Sequence, residues 1–276
     1  MEIYRPRASI VICTHKFERN EPGNIENLLN KLNENLLGSG YEVIVVSNNN
    51  DLMPLLEGIR NRMSVPCRII NNGKNLGLPL AWDIGGRAAN GNYIFFLNQD
   101  VILTRDDNIF AEMISRAEAY AVKVNKTLGI FGVEGSRWHE KNGIWRQYAR
   151  YEAGQFHGEI EVELSGGFLF GMSREVFYRI NGFDHELSPI FFEEMDFFFK
   201  MRELEAQSGE KFANIIISGI NYAHKFGESA KNPFNSVIKW YKMHENDEII
   251  EFLGEIHLRN KKYLENKWKI RLQSMI

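Results

Sequence analysis

The stretch Asn75–Val101, NLGLPLAWDIGGRAANGNYIFFLNQDV, carries the pattern from which the fold can be predicted. A helical pattern over Leu80–Ala89 precedes the apolar run Tyr93–Leu97, and an Asn-Gln-Asp triplet that ends at Asp100 follows that run directly. A strand that is apolar throughout suits burial on both faces, as in a parallel sheet covered by helices. We therefore expect Asp100 at the carboxyl end of a buried strand.

The rest of the first hundred residues repeats this alternation of helical and strand-like stretches. The predicted strands are Ser9–Thr14, Glu42–Ser47 and Cys67–Ile70, and the predicted helices are Ile25–Leu37 and Met53–Met63. Such alternation is typical of strands joined by crossover helices. The sequence therefore predicts an α/β fold with a mostly parallel sheet.

The second half of the chain has a less regular pattern. Its predicted elements are a helix over Asn108–Val124, a strand over Leu128–Val133, an irregular region to about Leu164, a strand over Gly166–Met172, a short helix that Ser173 caps and Asn181-Gly182 ends, a helix over Glu193–Gln207, and a strand over Phe212–Ile217. Caps and stops of this kind follow the usual preferences at helix ends. From Phe234 onward the pattern is mainly helical, and it predicts a helical C-terminal appendage over residues 234–276.

The composition is that of an ordinary globular protein, with 44% hydrophobic and 25% charged residues in a chain of 276. The apolar run near the N-terminus is too short for an export signal or a membrane span. Both cysteines, Cys13 and Cys67, lie in strand-like runs, which favours small buried side chains and a reducing compartment over a disulfide. We expect a cytoplasmic protein.

The charge is distributed unevenly along the chain. The net charge is −3, but residues 256–276 carry six basic side chains and one acidic one, so this tail is +5 and the rest of the chain is −8. An acidic body argues against a nucleic-acid partner. The basic and aromatic positions of the tail fit an anionic membrane surface, and they equally fit packing or a homodimer contact.

Polar residues stand directly after the predicted strands, where open parallel sheets bind their ligands. They are Thr14-His15, the run Ser47–Asp51, Asn71-Asn72-Gly73, and the triplet ending at Asp100. A carboxylate at a strand end can hold a divalent ion against phosphate oxygens, although Asn and Asp are also common in simple turns. Neither a GxGxxG dinucleotide fingerprint nor a GxxxxGK[ST] phosphate loop is present.

Two later motifs also carry chemically useful side chains. Glu193, Glu194 and Asp196 begin a predicted helix after two phenylalanines; acids there stabilise the helix dipole, and a Glu at a pocket mouth can equally act as a general base. His224 follows the strand-like residues 219–223, where a single His can be a ligand or can pack. The residues alone leave both alternatives open.

The order of these motifs resembles family 2 glycosyltransferases of the A-type fold, in particular the bacterial rhamnosyltransferase-like branch. The matching pieces are SIVICTHK (9–16), VIVVSNNND (43–51), the opening stretch, GGFLFGMSREVFYRINGFD (166–184), FFEEMDFFFKMR (191–202) and AHKFGES (223–229). The resemblance covers about residues 8–230. It implies a catalytic domain over 1–233, with a donor half in about 1–100 and an acceptor half in about 101–233.

The resemblance assigns the donor and metal residues. It implies that Thr14, Ser47 and Asn49 lie near the base and ribose of the nucleotide and that Asn75 and Asp83 border the donor. Asp100 resembles the retained acid of the family's metal motif, with Asn98 at the other acid's position, and His224 resembles the histidine that approaches the metal or the diphosphate. The implied cofactor is Mn²⁺ or Mg²⁺.

The resemblance also assigns the acceptor side. Glu194 stands where the family has the acid that deprotonates the acceptor, although Glu193 and Asp196 stay open as alternatives. Gly166 and Gly167 resemble the small residues beneath the acceptor and the transferred sugar. Trp138 lies in the irregular region, where an aromatic face could meet an acceptor. One displacement would invert the configuration at the sugar.

These assignments predict an inverting transferase that uses a nucleotide diphosphate sugar, dTDP- or UDP-linked. The expected acceptor is a saccharide or a lipid-linked saccharide, as in bacterial surface polysaccharide or glycolipid synthesis. Ser47, Asn98 and Glu194 depart from the usual family pattern, which keeps open a non-catalytic nucleotide- or carbohydrate-binding module. A sugar nucleotidyltransferase is the nearest enzymatic alternative, but it requires a basic, Gly-rich phosphate loop that the sequence lacks.

Overall fold

The computed structural model describes residues 5–17, 19, 22–38, 40–224 and 247–273, with side chains from 254 in the last range. The strands are β1 Ala8–Thr14, β2 Tyr41–Ser47, β3 Cys67–Asn71, β4 Tyr93–Asn98, β5 Val101–Leu103, β6 Thr127–Gly132, β7 Gly135–Lys141, β8 Ile144–Tyr151, β9 Glu159–Glu161, β10 Leu164–Ser165, β11 Leu169–Ser173, β12 Phe212–Ile217, β13 Tyr222–His224 and β14 Arg271–Gln273. The helices are α1 Ile25–Asn35, α2 Met53–Arg60, α3 Leu78–Ala88, α4 Ile109–Lys123, α5 Arg174–Arg179, α6 Glu193–Ser208 and α7 Asp247–Trp268.

The main sheet has the strand order β3-β2-β1-β4-β11-β6-β12-β9. Its first four strands are parallel to one another, as are β6 and β12, whereas β11 and β9 run antiparallel to their neighbours. Because β11 reverses direction between β4 and β6, the carboxyl ends of β1, β4, β6 and β12 lie at one edge. The predicted α/β, mostly parallel sheet is confirmed.

Strand β1 is central because its side chains are buried on both faces. Ile10 and Ile12 pack in one hydrophobic cluster, which includes Phe110 of α4, and Val11 packs in a second cluster, which includes Trp82 of α3. Helices therefore cover both sides of the sheet, as a run that is apolar throughout predicts. The four strands predicted before Asp100 are all present with closely matching bounds.

The prediction of an irregular region up to about Leu164 was wrong. Strands β7 and β8 form an antiparallel hairpin there, and with β10 and β14 they make a second sheet of order β10-β7-β8-β14. Asn142 and Gly143, both at positive φ (55° and 74°), form the tight turn of the hairpin. The strand predicted over Gly166–Met172 begins only at Leu169, and residues 166–168 form a loop.

The C-terminal helix α7 packs closely against the body of the protein. Leu264 is fully buried in a cluster with Trp145, Phe198 and Phe199, and β14 pairs in parallel with β8. The predicted helical tail is present, with an additional strand at its end. Residues 225–246, including Trp240 and the last part of the AHKFGES motif, lie outside the described residues. No helix in the described ranges is long and apolar enough to cross a bilayer.

Candidate functional site

The ends of β1, β2 and β4 meet at one edge of the main sheet. Thr14 aligns with Ser47 in the register of β1 and β2, and Cys13 aligns with Asn98 in that of β1 and β4. The backbone N–H of Asn48 donates to the carbonyl of Thr14 at 2.7 Å. Polar residues that follow separate strands in the sequence therefore lie at one edge of the sheet.

Thr14 and Ser47 are completely buried, and their hydroxyls are used inside the protein. The Thr14 hydroxyl donates to Oε1 of Gln99, and the Ser47 hydroxyl donates to the carbonyl of Asn49 at 2.8 Å. Both side chains are therefore part of the buried structure at this edge of the sheet. Of the donor residues predicted from the sequence, Asn49, Asn75 and Asn98 are the ones with exposed surface.

Asn48 organises this edge although sequence reasoning gave it no role. Its buried amide nitrogen donates to Oδ1 of Asn75 at 3.2 Å and to the carbonyl of Gly77 at 3.1 Å, and its Oδ1 accepts from Nδ2 of Asn72 at 2.8 Å. The loop after β3 is thereby fixed to the end of β2. Its position directly after a strand was the signal, but a turn of consecutive asparagines does not indicate which of them is buried.

Asp83 is buried, and its carboxylate joins α3 to residues 183–185, which follow α5. Its Oδ1 accepts from the backbone N–H of Phe183 at 3.0 Å, and its Oδ2 accepts from Nε of Arg87 at 2.7 Å and contacts Nε2 of His185 at 2.9 Å. Its exposed fraction is 1%. Both carboxylate oxygens are thus engaged within the protein, which favours a structural role over the predicted donor contact.

Asp100 and His224 are brought together by the pairing of β5 with β13. In that pairing His224 aligns with Val101, and Nε2 of His224 lies 3.4 Å from Oδ1 of Asp100. The His224 ring stacks on Phe168 with a centroid distance of 4.1 Å and an interplanar angle of 7°. The ring orientation is therefore fixed by packing.

This pair offers one carboxylate and one imidazole to a divalent ion. The described residues contain no group of three or more side chains that could hold a metal by themselves. Ions such as Mg²⁺ often take one or two carboxylates and complete their coordination with water and substrate phosphates. The donor set therefore fits an ion that binds together with a diphosphate.

A partly buried hydrogen bond lies near Asp100 and His224. The hydroxyl of Tyr222 donates to Oε1 of Glu134 at 2.6 Å, and the Tyr222 ring contacts that of Phe168. Burial and the neighbouring carboxylate raise the pKa of Tyr222, so the hydroxyl keeps its proton. Glu134 was not predicted from the sequence, because the segment after β6 was interpreted as irregular. A signal was present, since Glu134 is a polar residue directly after a predicted strand, like the other candidate site residues.

Glu194 lies against Gly167. A Cβ at position 167 would stand 2.0 Å from Oε1 of Glu194, so the close approach requires glycine. Burial raises the pKa of Glu194, while backbone N–H groups and Arg150 act in the opposite direction. The carboxyl thus lies beside the 166–168 loop, whose Phe168 carbonyl accepts from the Asn98 N–H at 2.9 Å.

The other two acids of the motif are placed differently. Glu193 is buried, and burial together with the nearby Glu194 carboxylate raises its pKa well above the ordinary value. Asp196 accepts at Oδ1 from Nζ of Lys267 at 2.7 Å and from Nε1 of Trp268 at 2.9 Å. The buried Asp196 therefore holds α7 on α6, and it is less suited than Glu194 to meet a ligand.

The remaining predicted acceptor residues lie in different surroundings. The backbone N–H of Gly166 donates to the Glu134 carbonyl at 2.6 Å. Trp138 is buried in the second sheet, and its Nε1 donates to the hydroxyl of Ser136 at 2.8 Å, which favours a packing role. A cavity of about 340 Å³ opens beside Tyr222 at the ends of β6 and β12.

A mostly parallel sheet of this order, with carboxylates gathered at its carboxyl edge, defines the A-type fold of nucleotide-diphospho-sugar transferases. The fold is similar to that of GalNAc-T7 with UDP, GalNAc and Mn²⁺, with a TM-score of 0.54, 15% identity and coverage of 88% of this chain and 48% of that one. The chain thus spans about half the length of GalNAc-T7.

A second solved structure is that of the mannosyltransferase PcManGT from Pyrobaculum calidifontis in complex with GDP-Man and Mn²⁺. Its TM-score is 0.52 at 14% identity, with 95% of this chain and 72% of that chain covered. No curated protein sequence is similar enough to count as a match. The sequence model of glycosyl transferase family 2 matches residues 9–180, more than half of the chain. This protein therefore belongs to glycosyl transferase family 2.

Proposed function

We propose that this glycosyltransferase moves a sugar from a nucleotide diphosphate donor to an acceptor hydroxyl with inversion at the anomeric carbon. One observation carries the proposal: the Glu194 carboxyl, with a raised pKa, lies against Gly167, and the same loop leads through Phe168 to the pair of Asp100 and His224. In this proposal the base, Glu194, and the pair that binds the diphosphate, Asp100 and His224, lie on two sides of the loop formed by residues 166–168.

Asp100 and His224 would hold a divalent ion, Mn²⁺ or Mg²⁺, for the diphosphate of the donor. When bound, that ion neutralises charge on the departing diphosphate. The two solved neighbours that contain Mn²⁺ with nucleotide or nucleotide sugar support this assignment. Asn98 would bring no charge to that ion, so weak binding of the ion without the nucleotide is expected. Asn49 and Asn75, exposed at the same edge, contact the nucleoside.

Glu194 is the base in this mechanism. Its carboxylate takes the acceptor's hydroxyl proton as the acceptor oxygen forms a bond to the anomeric carbon, and the bond from that carbon to the diphosphate oxygen breaks with its electron pair leaving on the nucleoside diphosphate. A raised pKa makes the carboxylate a better proton acceptor than an ordinary glutamate. Because the pKa of Glu194 is raised, kcat/KM should begin to fall with decreasing pH at a value above the usual pKa of a glutamate.

The donor is a dTDP- or UDP-sugar, and the resemblance to the rhamnosyltransferase-like branch points to rhamnose. The acceptor is a saccharide or lipid-linked saccharide of a bacterial surface polysaccharide or glycolipid, bound over Gly166 and Gly167. The cavity beside Tyr222, bordered by Phe156, Ser218 and Asn221, gives room for a further part of that acceptor. Its mixture of aromatic and polar groups suits a sugar.

The protein acts in the cytoplasm at an anionic membrane surface in this proposal. Leu258, Arg259, Lys262 and Lys269 recur along α7 and just after it as exposed side chains. Their spacing places them along one side of the helix, with basic charge and one large apolar residue. That surface complements anionic lipids and brings the site to a lipid-linked acceptor.

The matched pair Glu194→Gln and Glu193→Gln tests the assignment. Glutamine at 194 removes the base, so transfer should fall by about 100-fold or more while the donor Kd changes less than twofold. Glutamine at 193 should keep transfer within about threefold of the wild type, because that side chain is buried away from the acceptor. Initial rates and calorimetric donor titration measure both. Near-normal turnover by Glu194→Gln would exclude Glu194 as the base.

A further inference from the structure

Asn260 of α7 is completely buried, and its side chain holds the loop that precedes α6. Its Nδ2 donates to the carbonyl of Leu187 at 2.7 Å and to that of Ile190 at 2.8 Å, with the Phe191 carbonyl at 3.4 Å. Its Oδ1 accepts from Nε of Arg259 at 2.9 Å. A buried amide that satisfies two carbonyls of one loop fixes their relative positions.

The loop that Asn260 holds contains an unfavourable backbone conformation. Phe191 and Phe192 have φ values of 83° and 72°, a region that bulky side chains avoid. Such a conformation is unfavourable and persists only where surrounding contacts hold it in place. Two consecutive phenylalanines in this region therefore need an external restraint.

Helix α7 supplies that restraint and also touches the phenylalanine rings. The His257 ring lies 5.6 Å from that of Phe191 and 4.9 Å from that of Phe192, between centroids. Helix α6 begins directly after Phe192, and its first backbone bond runs from the Asp196 N–H to the Phe192 carbonyl at 2.9 Å. The direction in which α6 starts, and hence the position of Glu194, depends on this turn.

We propose that Asn260 is a positioning residue for the transfer reaction. Its amide holds the left-handed turn at Phe191 and Phe192 so that the Glu194 carboxyl stays against Gly167. This inference rests on the proposed function, in which Glu194 is the base. Asn260 and Glu194 both lie beyond residues 9–180, the part of the chain that matches the family model.

The isosteric variant Asn260→Asp tests the role of the two donated hydrogen bonds. Aspartate keeps the size and the acceptor oxygen that faces Arg259 but cannot donate to the carbonyls of Leu187 and Ile190. Because misplacing a reacting group by about 1 Å can cost on the order of 100-fold, kcat should fall by roughly that factor while the donor KM stays within about twofold. Asn266→Asp, the same change at an exposed position of α7, is the control and should leave both constants unchanged.

Two further measurements accompany this variant, and the first of them keeps the test decisive if Asn260→Asp folds poorly. Arg259→Ala removes a surface side chain that contacts Oδ1 of Asn260 and the Ser188 carbonyl, and it should lower kcat by about threefold with an unchanged melting temperature. Hydrogen exchange of peptides covering residues 187–196 should become faster in Asn260→Asp, with the main sheet unchanged.

The outcomes separate this inference from the proposed function. Normal kcat in Asn260→Asp, or a parallel loss of kcat and donor affinity with faster exchange throughout the sheet, would overturn the positioning role. A wild-type protein that transfers no sugar would overturn the proposed function alone. In that case the exchange measurement still decides whether Asn260 holds the turn: faster exchange confined to 187–196 supports it, and unchanged exchange refutes it.

Discussion

At the scale of single residues, the two adjacent acids Glu193 and Glu194 show how burial separates chemically identical groups. Glu193 is 5% exposed, and burial followed by the charge of Glu194 raises its pKa. Glu194 retains some exposed surface and lies against Gly167. The sequence left three acids open, because adjacent acids at a helix start do not reveal which one faces solvent.

The raised pKa of Glu193 has a consequence for stability. A group whose pKa is higher in the folded protein than in the unfolded chain contributes stability below the unfolded value, near 4.3 for glutamate, and loses it as the pH rises through the folded value. Glu193→Gln cannot ionise, so it should raise the melting temperature relative to the wild type more at pH 8 than at pH 5.

Thermal melts of the wild type and Glu193→Gln between pH 5 and pH 8 measure this difference. The matched control is Glu203→Gln, the same change at an exposed position of α6. A constant difference for Glu193→Gln would mean that Glu193 titrates normally in the folded protein.

At the scale of secondary structure elements, the sequence predicted the parallel strands well and the second sheet poorly. Strands β1, β2 and β4 are largely buried, β3 at the end of the sheet is partly buried, and their apolar runs are visible in the sequence. Strands β7 and β8 have exposed, charged positions, and their pattern was weak. The Asn142-Gly143 dipeptide was nevertheless a hairpin signal, since both residues adopt the positive φ that such turns require.

The residues of the candidate site were likewise predicted only in part from the sequence. The pairing of Asp100 with His224 followed from the family resemblance, and the structure brings the two side chains within 3.4 Å. The contributions of Asn48, Glu134 and Asn260 were not predicted. Asn48 and Glu134 follow strand ends, which was a signal for their position, but the contacts that all three residues make join elements far apart in the chain, and a single sequence does not show which contacts form.

Asp83 offers a test of how elements are joined. Its carboxylate binds the Phe183 N–H, Arg87 and His185, and so fixes α3 to the segment that follows α5. Asp83→Ala leaves these hydrogen-bonding groups without the carboxylate that accepts from them, and it should destabilise the protein by about 2–4 kcal/mol. At a temperature where the variant is folded, its donor Kd should stay within about threefold of the wild type.

Urea unfolding and calorimetric titration with the nucleotide measure the two quantities. Asp51→Ala, which removes an exposed carboxylate after β2, is the control for stability and should change it by less than about 0.5 kcal/mol. Loss of donor binding in a stable Asp83→Ala variant would restore the donor contact that the sequence resemblance implies.

At the scale of the whole molecule, α7 has one side in the core and another facing solvent. Asn260 and Leu264 are completely buried, so deleting residues 256–276 would disrupt the core as well as any membrane surface. The double variant Lys262→Glu and Lys269→Glu changes only exposed side chains. It should weaken binding to vesicles with 30% anionic lipid by about 30-fold or more, because each basic residue near such a surface contributes about 1 kcal/mol and every 1.4 kcal/mol is about tenfold.

Vesicle sedimentation measures this binding, with neutral vesicles as the reference. Lys123→Glu with Lys141→Glu, two exposed lysines on α4 and β7, gives the same change of charge on other surfaces and should leave binding unchanged. Equal weakening by both double variants would point to a general charge effect, and unchanged binding by the α7 variant would exclude this helix as the membrane surface.

The central claim is that Asp100 and His224 bind a nucleotide diphosphate together with a divalent ion, and a thermal-shift panel tests it most directly. UDP, dTDP, GDP and CDP would each be added with and without Mn²⁺ to the wild type and to Asp100→Ala, because a ligand that binds the folded state raises its melting temperature. We predict a shift for dTDP or UDP that requires Mn²⁺ and is lost in Asp100→Ala, with Mn²⁺ alone giving little. No shift with any nucleotide, or an equal shift in Asp100→Ala, would contradict the account.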